Sequence, residues 1–332
     1  MAAFEIRAAR PDDNQALIAL EKRSPLIVGE TTLSFDRSPD YFAGARLQDR
    51  TLFAVATEHG APIGVSASAL HTTRLLGRSR LLSYTHHMRI DPAFQRHGVG
   101  RALGQWLRDR WVAWGAKPER GYAFIDAANT DSLAFAGSRG GPGPWPMEGW
   151  LHDLPAAPAA EVKAEPVGDD DLADVIVLLN RTHAGLELFP GYTQESLTAR
   201  LRRSLRYGWS QWRGLRRNGR LVAVAGVLDQ GESVAAITRN RRTGEQQMSR
   251  GMTVLDHGYS DVGAMRDLLV ALRGEAAACE RDALEISVPD SSPLFEDVQR
   301  EASYTIRFKF LGGEHPPAGY PLRGVYIDPV YL

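Results

Sequence analysis

The stretch "QRHGVGRA", Gln95 to Ala102, places two glycines, two arginines and a glutamine between an apolar run of strand type and an amphipathic run of helix type. A helix start leaves its first N–H groups without intrahelical partners and carries partial positive charge, so it is a ready anion site. Gly98 and Gly100 would remove the Cβ atoms that keep a phosphate from those amides, while Gln95, Arg96 and Arg101 add donors and charge. The ligand such a turn suits is a pyrophosphate.

A second stretch with chemical potential is "ARLRRSLRYGWSQWRGLRRNGR", which holds Arg202, Arg203, Arg206, Arg213, Arg216 and Arg217 among Tyr207, Trp209 and Trp212. Cations interleaved with aromatic rings can follow a phosphate backbone and stack on bases, so an RNA-binding patch is one reading. An amphipathic helix with Leu197, Leu201 and Leu205 inward and its arginines in water is the other.

These stretches sit in a chain of 332 residues, 43% apolar and 24% charged, enough for two domains with a real core each. The net charge of −1 gives no global field toward nucleic acid or anionic lipid, so such binding needs a local patch. Cys279 is the sole cysteine, which rules out an intramolecular disulfide and a multi-cysteine zinc site. A reducing, cytoplasmic setting and no membrane partner are expected, since "MAAFEIRAARPDDNQ" has no apolar run of signal or membrane length.

The elements that position the glycine turn follow from pattern. "FEIRAA" reads as a strand, a helix opens at Pro11, residues 24–40 read as a loop, and a short helix is expected from Ser38. "TLFAVATE", "PIGVSASALHTT" and "LLSYTHHMRI" form an antiparallel meander. Val99, Leu103, Leu107, Trp111 and Trp114 then share one helix face, and Gly121–Ala127 is a buried strand. Strand, helix and strand imply a right-handed crossover with two parallel strands. A Gly/Pro-rich loop, "GSRGGPGPWPMEGWLHDL", leads to a last strand.

Residues 155–166, "PAAPAAEVKAEP", read as an Ala/Pro-rich linker, which divides the chain into domains 1–154 and 167–332. Beyond the linker the order recurs: two helices, the strands "SQWRGLRR", "RLVAVAGVLD" and "GMTVLDH", a helix over Val262–Ala278, the strand "ALEISVP", the helix "SPLFEDVQREA" and the strand "TIRFKFLG". The fold class is α/β, an α+β mixed sheet built from two copies of one plan.

Gln-x-x-Gly-x-Gly after an antiparallel meander and before a long amphipathic helix resembles motif A of the GNAT superfamily of acyl-CoA-dependent N-acyltransferases. "MRIDPAFQ" is similar to that family's fourth strand and its lead-in, and "NTDSLAFAGSRGG" to its fifth-strand exit. The resemblance spans roughly Phe4–Leu154 in element order and is specific over Met88–Ala102.

It implies two tandem GNAT-like domains, each a mostly antiparallel sheet with one parallel crossover. Gln95, Arg96, His97, Gly98, Val99, Gly100 and Arg101 would wrap the pyrophosphate of an acyl-CoA, expected to be acetyl-CoA, with no metal. Met88, Arg89 and Ile90 would meet the pantetheine arm along a strand that splays from its neighbour, one of their amides facing the thioester oxygen, and Asn129 would lie beside the arm.

The family's usual base position falls on Tyr84, so His86, two residues on and thus on the same strand face, is the expected general base with Tyr84 polarising nearby. His87 is expected to face the other way. The family's usual acid, a tyrosine, falls on Ala136, after Phe135. Glu30, in a loop with Asp36 and Arg37, and Asp126 are candidate contacts for the ammonium of a small-molecule amine acceptor.

In the second half "GYSDVGAM" aligns with "QRHGVGRA", which puts Gly258 at the glutamine and Asp261 at the first glycine. A carboxylate there repels phosphate. That copy is expected to be degenerate and to wall the acceptor pocket. Two further functions fit the sequence: aminoacyl transfer from a charged tRNA held by the arginine patch, and coenzyme A binding without catalysis.

Overall fold

The computed structural model describes residues 4–138, 143–158, 161–203, 206–312 and 314–329. Residues 139–142 and 159–160, and 204–205 of the arginine-rich stretch with the expected inward Leu205, lie outside them.

In chain order the first half comprises β1 (Glu5–Ala8), α1 (Asn14–Arg23), β2 (Leu26–Val28), β3 (Thr31–Asp36), β4 (Arg50–Glu58), β5 (Ala61–Leu75), β6 (Arg78–Ile90), α2 (Val99–Ala113), β7 (Arg120–Asp126), α3 (Thr130–Gly137) and β8 (Glu148–Pro155). The second half begins with β9 (Glu165–Pro166), α4 (Leu172–Thr182), α5 (Gln194–Arg202), β10 (Trp212–Arg217), β11 (Arg220–Asp229), β12 (Ala235–Asn240) and β13 (Gln246–Ser249). It ends with β14 (Gly251–Tyr259), α6 (Val262–Ala278), β15 (Ala283–Ser287), α7 (Phe295–Glu301) and β16 (Tyr304–Gly312).

Both halves share one 12-stranded sheet, in the order β1-β4-β5-β6-β7-β16-β8-β15-β14-β11-β10-β9. Each half holds one parallel pair, β6 with β7 across α2 and β14 with β15 across α6. The final strands are exchanged. β16, from the end of the chain, pairs with β7 of the first half, and β8, from the first half, pairs with β15 of the second. Apolar packing fixes this centre: Phe310 lies opposite Phe124, and Phe310, Tyr122 and Trp145 share one buried cluster. The chain from Pro155 onward is tied down too, since the amides of Ala156 and Ala157 donate to the carbonyls of Asp282 and Arg273.

Helix periodicity sets the layers. Val99, Leu103, Leu107 and Trp111 of α2 are buried against Leu52, Ala54, Ala56 and Ile63 of the sheet, each side chain contributing about 1.5–3 kcal/mol of transfer energy. Trp114 does not join them: α2 ends at Ala113, and Trp114, beyond its last turn, is 58% exposed. On α6, Met265, Leu268 and Leu272 are fully buried.

Two expectations for residues 24–40 are corrected. Instead of a loop, β2 and β3 form a hairpin, and β3 pairs along its whole length with β12 in a 4-stranded sheet β13-β12-β3-β2. The hairpin β12–β13 also escaped the pattern, because β13 is nearly all exposed and carries no apolar alternation. The short helix from Ser38 is absent as well. Asn14 Oδ1 accepts from Tyr41 N and Asp40 Oδ1 from Phe42 N, which spends those amides on side chains, and only a 3-10 turn forms later, at Gly44–Leu47.

Candidate active site

β6 and β7 pair only from Leu82↔Arg120 to Tyr84↔Tyr122, although they run on to Ile90 and Asp126. β7 stays bonded to β16 as far as Asp126, so past Tyr84 the two strands part. The β7-side backbone of residues 85–90 therefore faces an opening that an extended molecule could enter as an added strand.

At the lower lip of this opening the turn into α2 is built by local capping. Asp91 Oδ1 accepts from Ala93 N at 3.1 Å, while Asp91 Oδ2 takes Arg23 Nε at 2.6 Å. Arg96 (φ 64) and Gly98 (φ 86) both adopt left-handed backbone, and Gln95, Arg96, His97 and Gly98 are exposed. His97 Nδ1 lies 2.8 Å from Gln95 O, and Gln95 Nε2 donates weakly to Ile90 O at 3.4 Å. Nothing stands within 4 Å of a Cβ built on Gly98, so space is open above the first amides of α2. Among the described residues neither Arg96 nor Arg101 has a salt-bridge partner.

Gly100 serves a different purpose from the one its spacing implies. A Cβ there would meet Ile90 Cδ1 at 2.9 Å, Phe135 Cζ at 3.4 Å and Met88 Sδ at 3.5 Å, so this glycine lets α2 lie close on β6 and α3. Val99 is likewise a core residue, 1% exposed. Only the backbone of these two can face a ligand.

Tyr84 and His86 share a face, their rings stacked at 5.2 Å and 7°. The expectation for His87 is corrected. The β5–β6 register slips between Val65↔Arg89 and Ala67↔His86, so His87 and Met88 together stand opposite Ser66 in a β-bulge, and His87 takes φ 53. Strict alternation fails there, and His87 Nδ1 comes to 2.6 Å from His86 Nδ1. Burial, with smaller contributions from Arg37 and His71, pushes His86 down to about 3. Burial first, then Arg37, His86 and Arg89, holds His87 well below its usual value. Both rings are neutral at pH 7. His86 Nε2 is buried with no hydrogen-bond partner among the described residues.

Next to the bulge lies a charge cluster that the sequence reading missed. Glu21, 1% exposed, accepts from Arg37 Nε at 3.2 Å and Arg89 Nη2 at 3.1 Å, and Arg89 Nη1 also donates to Met88 O at 3.0 Å. The Arg89 guanidinium is thus engaged in holding the bulge. Glu21 lies on α1 and Arg37 just past β3, so no local spacing announces their meeting. Also unforeseen, Tyr122 Oη is 2.6 Å from His71 Nε2. Leu188 and Val325 of the second half pack in the same cluster as Tyr84 and Tyr122.

The remaining candidates scatter. Asn129 is the N-cap of α3, its Oδ1 accepting from Ser132 N at 3.0 Å. Asp126 ends β7, its Oδ1 accepting from Ala128 N at 2.8 Å. Glu30 is exposed at the β2–β3 turn, where its carbonyl accepts from Arg241 N, far along the chain from β6 and bonded to the second half.

The arginine stretch is not a free cationic strip. Arg203 pairs with Asp49 (3.4 Å), Arg206 with Glu232 (2.9 Å), Arg213 with Glu275 (3.0 Å), Arg216 with Asp171 (2.5 Å) and Arg217 with Asp261 (2.6 Å). Of the six, Arg202 alone forms no salt bridge among the described residues. Tyr207 and Trp212 are fully buried, so neither ring can stack on a base. The tRNA reading therefore loses its physical footing. At the second half's helix start, Asp261 Oδ1 caps Ala264 N at 2.8 Å, occupying with a carboxylate the place that Gly98 leaves open on α2.

Comparison with known proteins gives this geometry a context. Residues 15–140 match the family model described as acetyltransferase (GNAT) family. The N-myristoyltransferase of Saccharomyces cerevisiae, solved with bound myristoyl-CoA, is similar with a TM-score of 0.68 and 10% identity, over 98% of this chain and 86% of that one. A GCN5-related N-acetyltransferase from Sphaerobacter thermophilus is similar with a TM-score of 0.56 and 15% identity, over 99% of this chain and 98% of that one. At such identities the likeness concerns the fold. No curated protein matches by sequence.

Proposed function

From a chain whose residues 15–140 belong to the acetyltransferase (GNAT) family, and which is thereby an acyltransferase, we propose an acyl-CoA-dependent transfer to a primary amine at the β6–β7 opening. The observation that carries this reading is the coincidence of two features at one corner. Strands that part after Tyr84 and Tyr122 lie directly before a helix start whose amides, at Gly98, are uncovered.

The pyrophosphate of the donor rests on the amides from Gly98 to Arg101, with Arg96 and Arg101 supplying charge. The pantetheine arm lies along the backbone of Met88–Ile90, meeting its amides, since Met88 O and Ile90 O already accept from Arg89 Nη1 and Gln95 Nε2. Amides at the bulge face the thioester oxygen as negative charge develops on it. Asn129 lies beside the arm, its carbonyl oxygen spent on the cap of α3.

His86 is the general base. It acts through Nε2, a buried ring nitrogen with no hydrogen-bond partner among the described residues, to which the bound acceptor brings its own N–H. With its pKa near 3, His86 cannot strip a ground-state ammonium, so the acceptor attacks as the free amine. Once bonded to the acyl carbon that nitrogen is more acidic than a free ammonium, and its proton passes transiently to His86 Nε2. The same proton then goes to the departing thiolate, so His86 fills the place of the acid that Ala136 cannot be. Tyr84, stacked on the ring, holds it in place.

The acyl group is acetyl rather than a long chain. Beyond the bulge stand Tyr41, Phe53 and the ion cluster of Glu21, Arg37 and Arg89, which leave charge where an acyl tail would need an apolar slot. The acceptor is a small amine, and the second half, through Leu188 and Val325, walls its pocket. Release of free thiol from acetyl-CoA, screened against a panel of small amines, tests the proposal: amine-dependent release supports it, and turnover with myristoyl-CoA alone rejects the acetyl assignment.

A further inference from the structure

We infer that His87 is the positioning residue that fixes His86 as its Nδ1–H tautomer, leaving His86 Nε2 bare to take the acceptor's proton. This rests on the reading of His86 as general base. At 2.6 Å the two Nδ1 atoms share one proton, so one ring must donate and the other accept. The direction follows from burial. His86 Nε2 is buried without a partner among the described residues, and an orphaned buried N–H is rarer in folded proteins than an under-used acceptor, whereas His87 is only half-buried and its Nε2 is not such an orphan. His86 therefore carries its proton on Nδ1 and gives it to His87.

The β-bulge makes this geometry, and the charges around it keep His87 an acceptor. Arg37 disfavours a proton on either ring and Arg89, bridged to it by Glu21, on His87, while His71 from β5 adds in the same sense on His86. Tyr41 and Phe53 hold the His87 ring edge-on at 5.9 and 5.7 Å, and Tyr84 stacks on His86. A base oriented by a third group is the arrangement that nucleophile-activating sites use with a carboxylate; here a neutral imidazole takes that place. In the step itself the amine N–H bond breaks and the pair stays on nitrogen. The Nε2–H bond forms, and the resulting imidazolium is steadied by its Nδ1–H bond to His87 until Nε2 releases the proton to the thiolate.

The test is ring-nitrogen NMR of the 15N-histidine-labelled chain at neutral pH, with His86 assigned by the His86→Gln spectrum. The Nδ1–H tautomer at His86 is the expected result, and the Nε2–H tautomer overturns the inference. Two variants read its consequence. His87→Phe keeps the edge-on packing and removes the acceptor, so kcat falls about tenfold or more with KM for the acyl donor unchanged. His87→Asn, whose Oδ1 can take the Nδ1 proton, restores most of that loss. Full kcat in His87→Phe, with His86→Gln inactive, overturns the role of His87. Full activity in His86→Gln removes the base reading and this role with it, and the NMR result, which needs no turnover, identifies which link failed.

Discussion

Arg217 Nη1 lies 2.6 Å from Asp261 Oδ2, and Asp261 Oδ1 caps the first turn of α6. This pair closes the second half's helix start, while the matching corner of the first half, at Gly98, stays open. One fold plan thus leaves a helix start uncapped in one copy and capped by a carboxylate in the other. Asp261→Ala is expected to cost about 0.5–2 kcal/mol of stability, the usual value of a cap, with acyl-CoA affinity unchanged. Urea titration and calorimetry on the same variant check both halves of that statement.

The two glycines of the turn should separate cleanly. Gly98→Ala places a Cβ in open space but forces a residue with a side chain to φ 86, so donor affinity falls along with about 1 kcal/mol of stability. Gly100→Ala drives a methyl to 2.9 Å from Ile90 Cδ1, and the main loss is of stability, about 1–3 kcal/mol for overpacking. Equal effects of both changes on affinity and midpoint would show that the turn has been misassigned.

Burial of imidazoles gives folding a definite pH dependence. The folded-state values of His71, His86, His152 and His183 are lowered by burial to about 4, 3, 4 and 4. Each lies below the unfolded value of about 6.5, so the stability these groups contribute is complete above pH 6.5. It is lost as pH falls toward 4, because the unfolded chain binds more protons. Asp153 acts in the opposite sense: burial and its cross-strand neighbour Glu285 raise it to about 7, so it gains stability as pH falls below that value. Denaturation midpoints measured from pH 7.5 to 5 should therefore decline, and decline more steeply in Asp153→Asn.

For the reaction the same neutrality predicts an unusual profile. His86, near 3, stays unprotonated throughout the range from pH 5 to 9. Activity should therefore follow the ionisation of the acceptor amine, rising with pH toward the amine's own value. A break near 6.5 would show instead that His86 titrates as an ordinary histidine.

Much of this architecture can be read from residue order, and the failures have a common cause. Val99, Leu103, Leu107 and Trp111 locate α2, and Met265, Leu268 and Leu272 locate α6, because a buried helix face repeats within a few residues. The glycine turn is legible for the same reason: its strand, its glycines and its helix are contiguous. What meets from afar is silent. β3 finds β12 across some two hundred residues, and Glu21 finds Arg37 and Arg89 only once α1 and β6 are packed. His87 fails in a third way, since period two cannot anticipate a bulge that adds one residue to β6. The arginine stretch misleads because its neutralising acids, Asp49, Glu232, Glu275, Asp171 and Asp261, come from elsewhere in the chain.

A buried hydrogen-bond network lies outside the site, in the second half. Asp256 accepts from Tyr192 Oη (2.6 Å), Tyr207 Oη (2.6 Å) and Arg200 Nε (2.9 Å), and Arg200 also grips Asp328 through both Nη atoms. Removing the cation leaves two buried carboxylates facing each other. Arg200→Met should lose about 3–5 kcal/mol, read from chemical denaturation, whereas a loss under 1 kcal/mol would mean that the network carries no net stability.

The most direct measurement is calorimetric titration of the chain with acetyl-CoA, run in parallel on Gly98→Arg. Saturable one-site binding to the wild-type chain, abolished in a folded Gly98→Arg variant whose side chain fills the space above the α2 amides, is the predicted result. Undiminished affinity in that variant, or no binding to the wild-type chain, contradicts the placement of the donor on which the acyltransferase mechanism rests.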